Sequence, residues 1–301
     1  MNIKLMTKRY PVIFLLVIIL LSGCEKAKDI TVTDLRVEYL QNPLGVDVEI
    51  PRFSWKLLSE KRDISQQAYQ ILLSEDINNL KPGSASVWDS GRSVSDKTVN
   101  IEYKGQPLQS NRKYFWQVRV WLDDVNYVVS EPCRFHTGIL AANEWQAGWI
   151  TTPEEITHES PILRKEFRLD KNVSEAYAFV SACGFYELYL NGERVGEHVM
   201  DPGISDYRKT VLYSTYDVTD LLKRGDNIAA AMLGNGAFNQ RNVNDRFSWG
   251  REDKVLGNPT FLMQIHIKFN NGSESVVITD NSWKYSWGPV TFNNLYGGED
   301  Y

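Results

Sequence analysis

Histidine and cysteine are scarce in this chain of 301 residues, and their scarcity excludes much chemistry. The four histidines, His136, His158, His198 and His266, stand far apart, and no pair has the spacing of metal ligands. The three cysteines are Cys24, Cys133 and Cys183, too few and too scattered for a disulfide framework. No Gly-x-Ser-x-Gly elbow, phosphate-binding loop or dinucleotide fingerprint occurs, which removes the usual nucleophilic and nucleotide chemistries. Charge of one sign is also lacking: 33 Lys and Arg against 38 Asp and Glu leave a net charge of −5, too weak and of the wrong sign to imply a nucleic-acid partner. Convincing long helices, internal repeats and low-complexity segments are absent as well.

Aromatic residues, in contrast, are plentiful: 9 Trp, 15 Tyr and 12 Phe. Most should fill cores, while any left exposed would suit stacking on sugar rings. The hydrophobic pattern around them has period two. Residues 30 to 139 hold short alternating runs at regular spacing, with Tyr114-Phe115-Trp116-Gln117-Val118-Arg119-Val120-Trp121 the clearest. After a linker the pattern restarts at Glu144-Trp145-Gln146-Ala147-Gly148-Trp149-Ile150. There Tyr186, Leu188 and Leu190 oppose Phe185, Glu187 and Tyr189, and Asn191-Gly192 supplies the two positive-φ positions of a tight hairpin. A further strand is expected around 211 to 216, then a short helical turn with Thr219 as N-cap and Gly225 as stop. The expected fold is all-β: two consecutive antiparallel β-sandwiches, the second jelly-roll-like. Cys133 and Cys183 fall in different sandwiches and are expected to be free thiols.

The N-terminus belongs to neither sandwich. Lys4, Lys8 and Arg9 precede an apolar run from Pro11 to Leu21, shorter than the ~20 residues a spanning helix needs. Leu21-Ser22-Gly23-Cys24 then resembles the lipobox of bacterial lipoproteins. That resemblance implies a signal peptide over 1–23, acylation of Cys24, a tether over 24–29 and an extracytoplasmic, membrane-anchored protein, facing the periplasm or the cell surface.

Between Gly234 and Pro259 no period is visible, but Asn235, Phe238, Asn239, Arg241, Asn244, Asp245, Arg246, Trp249 and Arg251 collect there. Rings for the apolar face of a sugar and amides, carboxylates and guanidinium for its hydroxyls are the residue types of carbohydrate sites. The alternative is a loop that packs between domains. Asp201 and Asp206 flank a turn and are candidate ligands for a hard cation such as calcium. The acids Glu187, Glu193, Glu197, Asp201 and Asp206 cluster in sequence, yet exposed acids of this kind are expected to be solvated rather than held as a glycosidase pair.

Tyr114 after Leu108 resembles the tyrosine corner of fibronectin type III domains. The combination Gly184-Phe185-Tyr186-Glu187-Leu188-Tyr189-Leu190-Asn191-Gly192, Asp201-Pro202-Gly203, Tyr216-Asp217-Val218-Thr219-Asp220-Leu221-Leu222, Gly234-Asn235-Gly236 and Asp280-Asn281-Ser282-Trp283-Lys284 resembles the N-terminal β-sandwich domain of bacterial α-L-rhamnosidases. Asn42-Pro43-Leu44-Gly45, Pro51-Arg52-Phe53-Ser54-Trp55 and Trp88-Asp89-Ser90-Gly91 are similar to the fibronectin-like domain before it. Ala237, where the family has an aromatic, is a departure. The resemblance implies a fibronectin-like sandwich over 30–139, a rhamnosidase N-terminal-like, carbohydrate-binding sandwich over 140–291, and over 292–301 a lead into later domains. In that family an (α/α)6 barrel with acidic residues performs inverting hydrolysis of terminal α-L-rhamnose, and none of it is expected within these residues. Some relatives are implied to bind rhamnose in such a sandwich with calcium. The candidate contacts are Asn191, Asp201, Asp206, Asn235 and Trp249. Partners would be rhamnose-containing glycans or glycosides, and the membrane through the lipid anchor. A non-catalytic surface carbohydrate-binding or adhesin-like lipoprotein is the competing expectation.

Overall fold

The computed structural model describes residues 30–242, 246–247 and 253–301. The lipobox Cys24 and the candidate Trp249 lie outside the described residues, as do Asn244, Asp245 and Arg251. The first half contains β1 (Ile30–Val37), β2 (Arg52–Ser59), β3 (Ala68–Ser74), β4 (Trp88–Asp89), β5 (Ser93–Val94), β6 (Ile101–Glu102), β7 (Lys113–Trp121), β8 (Tyr127–Val129) and β9 (Cys133–His136). The second half contains β10 (Pro161–Leu169), β11 (Val173–Cys183), β12 (Phe185–Leu190), β13 (Glu193–Arg194), β14 (Tyr213–Asp217), β15 (Gly225–Gly234) and β16 (Asn239–Gln240). It continues with β17 (Lys254–Val255), β18 (Thr260–Phe269), β19 (Glu274–Ile278), β20 (Lys284–Trp287), β21 (Phe292–Asn294) and β22 (Gly298–Asp300). Every strand pairing is antiparallel, and the only helical pieces among the described residues are three short 3-10 turns.

In the first sandwich β1, β2 and β6 form one sheet, and β3, β4, β5, β7, β8 and β9 form the other. Rings fill the space between them. Phe53, Trp55, Trp88, Tyr103, Tyr114, Trp116 and Phe135 are all buried, and Phe53 meets Trp116 edge-on at 4.8 Å. Each ring removed from water contributes roughly 1.5–3 kcal/mol. The Tyr114 hydroxyl accepts the backbone N–H of Gln109 at 3.0 Å, the bond that defines a tyrosine corner.

The second sandwich sets a five-stranded sheet, β13-β12-β15-β10-β20, against a four-stranded one, β14-β11-β18-β19. Small and aliphatic side chains dominate its core: Ala176, Ala178, Ala182, Ala229 and Ala231 with Leu188, Leu190, Met263 and Ile265. The hairpin forms as its sequence dictates. Asn191 and Gly192 have φ of 53° and 90°, and Tyr186, Leu188 and Leu190 point inward. The next strand, β14, begins two residues later than expected and pairs with β11 in the opposite sheet rather than with the hairpin. Two cap assignments need correction. Thr219 is the first residue of a 3-10 turn, and its hydroxyl oxygen accepts the Ala176 N–H at 2.9 Å, so it braces β11 instead of capping. Gly225, with φ +102°, starts β15.

β11 is buried on both faces because it serves two cores. Ala176, Ala178, Val180 and Ala182 face the second sandwich, while Tyr177 and Phe179 face the first. There His136, at the end of β9, stacks on Tyr177 with centroids 3.7 Å apart. The Ile139 N–H donates to the Tyr213 hydroxyl at 3.0 Å, and Trp145 meets the Tyr213 ring edge-on at 5.3 Å. Burial pushes His136 down to about 4, so it sits neutral in this seam. Cys133 and Cys183 are unpaired, and burial raises both thiols.

Candidate functional site

The hairpin and the loop after it converge on Asp201. Its Oδ2 accepts from the Ser214 hydroxyl at 2.6 Å, from Tyr216 at 2.5 Å and from Tyr186 at 2.9 Å, with His198 Nδ1 at 3.4 Å. Burial alone would push this carboxyl up, but the hydroxyl donors outweigh it and hold Asp201 below the usual carboxylate range. The same burial raises the Tyr216 phenol to about 12 and carries Tyr186 higher still. Asp201 is therefore a fixed acceptor that ties the loop over residues 196–212 to both sheets, with no proton to give near neutral pH.

The other candidates are also spent on the protein. Asn191 donates to the Leu221 carbonyl and to Asn227 Oδ1 and accepts from the Ile228 N–H, locking the hairpin tip to β15. Asn235 is buried, donating to the Asn293 carbonyl and accepting from Asn239, which itself donates to the Ile156 carbonyl. Around Asn235, the loop is an internal amide network rather than an open rim. Asp206 lies on a surface loop beside Arg208 and Lys209, and the Arg208 guanidinium holds it below its ordinary range. Calcium requires six or more oxygens offering lone pairs. Asp201 and Asp206 direct theirs to protein donors, and among the described residues no three acids, histidines or cysteines gather, so this pair does not fit such an ion.

A glycosidase acid needs a raised pKa. Every carboxyl among the described residues with a resolved shift is lowered instead. Glu187, on β12, accepts from Tyr189 at 2.8 Å and lies 3.5 Å from Arg194. Among the described residues no carboxyl shows the raised pKa that such an acid needs.

Sequence reasoning passed over a different group. Trp149, Tyr285 and Trp287 remain 46%, 39% and 46% exposed at one edge of the second sandwich. The signal was present in Lys284-Tyr285-Ser286-Trp287, a period-two run that alternates rings with polar residues after a turn.

Two family models match the chain in consecutive stretches: "Rha78A-like, N-terminal immunoglobulin domain" over 32–141 and "Alpha-L-rhamnosidase N-terminal domain" over 171–301. An α-L-rhamnosidase of Formosa agariphila is 35% identical over 290 residues, covering 86% of this chain and 30% of its own. The structure of the α-L-rhamnosidase from Dictyoglumus thermophilum superposes with a TM-score of 0.80 at 34% identity, over 89% of this chain and 31% of that one. The chain is built as the N-terminal region of the α-L-rhamnosidases. It spans 30% to 42% of the length of the curated relatives it matches. The α-L-rhamnosidase of Streptomyces avermitilis, crystallised with L-rhamnose, shares this rhamnosidase-region fold with a TM-score of 0.83 at 23% identity, over 90% of this chain and 42% of its own.

Proposed function

We propose that these two sandwiches are the accessory region of a lipid-anchored α-L-rhamnosidase-like glycoside hydrolase that releases terminal α-L-rhamnose from glycans or glycosides. In this reading Cys24 anchors the protein on an extracytoplasmic membrane face, the first sandwich is a spacer, and the second contacts carbohydrate. One observation carries the reading: both sandwiches follow one another as they do in the Dictyoglumus enzyme, over 89% of this chain. The set of lowered carboxyls supports an accessory rather than a catalytic role for these residues.

The native protein, captured from its cells with an antibody against these sandwiches, is expected to release L-rhamnose from an aryl α-L-rhamnoside. Captured protein that leaves the rhamnoside intact contradicts the enzyme reading. Fatty-acid labelling tests the anchor. The full chain is expected to incorporate palmitate and sediment with membranes, and Cys24→Ser is expected to lose both the label and the membrane pool. Equal labelling of the two forms removes the lipoprotein assignment.

A further inference from the structure

β20 is the edge strand of the five-stranded sheet. It pairs with β10 in a register that sets Tyr285 opposite Leu163 and Trp287 opposite Pro161. Leu163 and Pro161 are buried, so Tyr285 and Trp287 stand on the sheet's inward face. They are nevertheless exposed, which means that the opposing sheet does not reach beneath them. A strap over residues 149–154 crosses this open mouth, leaving a cleft of about 340 Å³ that Trp149, Leu163, Asp280, Asn281, Trp283 and Tyr285 line.

We propose that this cleft is a carbohydrate-binding site, in which Trp149 and Tyr285 hold the C–H face of one terminal sugar ring and the exposed Asn281 beside them meets its hydroxyls. The inference rests on the reading above only for the class of sugar, a terminal α-L-rhamnosyl group.

The backbone under Trp149 and the ring of Tyr285 are set before any ligand arrives. Gly148 and Ile150, on either side of Trp149, are fastened to Thr279 and Phe261 by backbone hydrogen bonds of 2.9 Å. The Tyr285 hydroxyl donates to Glu154 at 2.5 Å. Trp283 forms the wall behind them, its indole N–H donating to the Ile278 carbonyl at 3.0 Å and its ring 5.9 Å from Phe261. Fixed rings lose little freedom on binding, which lowers the entropic cost of capture. Exposed rings gathered in a concave place, with a few polar groups at the rim, are the features of a ligand site rather than of chance surface apolarity.

The acid of the lining is already neutralised: Asp280 is paired with Lys165 at 2.8 Å and is also bonded by Ser282, which holds it near 2. Lys284 also lines the cleft, and on the edge strand a lysine discourages another strand from adding there. A sugar satisfies the rings and the turn together, whereas a docking peptide would use the strand edge.

The test is calorimetric titration of the full chain, kept in a detergent without a sugar headgroup, with methyl α-L-rhamnoside and with L-rhamnose. Saturable binding is expected, accompanied by a change in tryptophan emission. Trp149→Ala and Tyr285→Ala should each weaken it about tenfold, the scale of a central ring truncation. Tyr285→Phe keeps the ring and should lose about threefold or less. Asn281→Ala, on an exposed turn, should weaken binding without touching the core, so the site is tested even if a ring variant fails to fold. Val94→Ala, exposed on the first sandwich, should bind as the parent does. Absence of binding, or ring and Asn281 variants that bind like the parent, overturns the cleft. If the captured native protein still hydrolyses the rhamnoside in that case, the enzyme reading stands without it. Binding without hydrolysis keeps the cleft and overturns the enzyme reading.

Discussion

The two sandwiches solve the same packing problem with different side chains. The first places its aromatic residues at the centre: Phe53, Trp55, Tyr114, Trp116 and Phe135 are all 1% exposed or less. The second packs four rings, Tyr186, Tyr216, Phe261 and Phe269, among five alanines and a set of aliphatic residues, and leaves Trp149, Tyr285 and Trp287 at its edge. A ring buried between sheets contributes stability and nothing else. A ring at an open edge forgoes much of that contribution and remains available to a ligand. The two cores thus differ in how much of their volume rings supply and how much small side chains supply.

The comparison breaks most clearly in the first core. Trp116→Ala should cost about 4 kcal/mol of stability, the upper part of the range for truncating a buried large ring. Calorimetry should show the lower transition moving while the second sandwich melts near its original temperature. If both transitions move together, the two domains are one cooperative unit and the contrast of cores has no separate meaning.

The seam between them comes next. Native His136 stays neutral down to about pH 4, while in the unfolded chain it takes a proton near 6.5. Between those values the unfolded state binds the extra proton, so stability is present above 6.5 and is lost as pH falls toward 4. The loss should amount to roughly 2–3 kcal/mol. Glu175 and Asp217 oppose the shift and Lys113 reinforces it, but burial dominates. His136→Phe, which keeps a ring against Tyr177, should flatten this part of the pH profile. A variant with the parent's profile would place the acid sensitivity elsewhere.

The smallest effect is expected in the second core. Ala231, wholly buried on β15, has no room for branches, and Ala231→Leu should cost about 2 kcal/mol by overpacking. A neutral result in denaturant titration would mean that the small residues are not what sets the spacing of the sheets.

Much of this architecture was legible. The Asn191-Gly192 turn, the inward set Tyr186, Leu188 and Leu190, the corner tyrosine and the unpaired Cys133 and Cys183 all follow from local rules of turn geometry, period and spacing. Partnerships made across the fold were not. Thr219 looked like a cap because its hydroxyl stands beside a turn, but Ala176, 43 residues away, supplies the N–H it accepts. Asn191, Asp201 and Asn235 looked like sugar contacts because polar residues in a strand-turn context usually face water. Each instead closes a network with groups 30 to 58 residues distant or with hydroxyls of the other sheet. Conversely, Tyr285 went unnoticed, because its exposure depends on where the opposing sheet ends and not on the alternation around it.

Gly138, at the seam, has a further consequence. A side chain there would strike the Tyr213 hydroxyl, while the glycine N–H donates to the Val46 carbonyl and its own carbonyl accepts from the Asn111 N–H. The Ile139–Tyr213 bond and the His136–Tyr177 stack lie just beside it, so a substitution at Gly138 would disturb the seam as a whole. A single missing side chain thus decides how closely the two sandwiches can approach there.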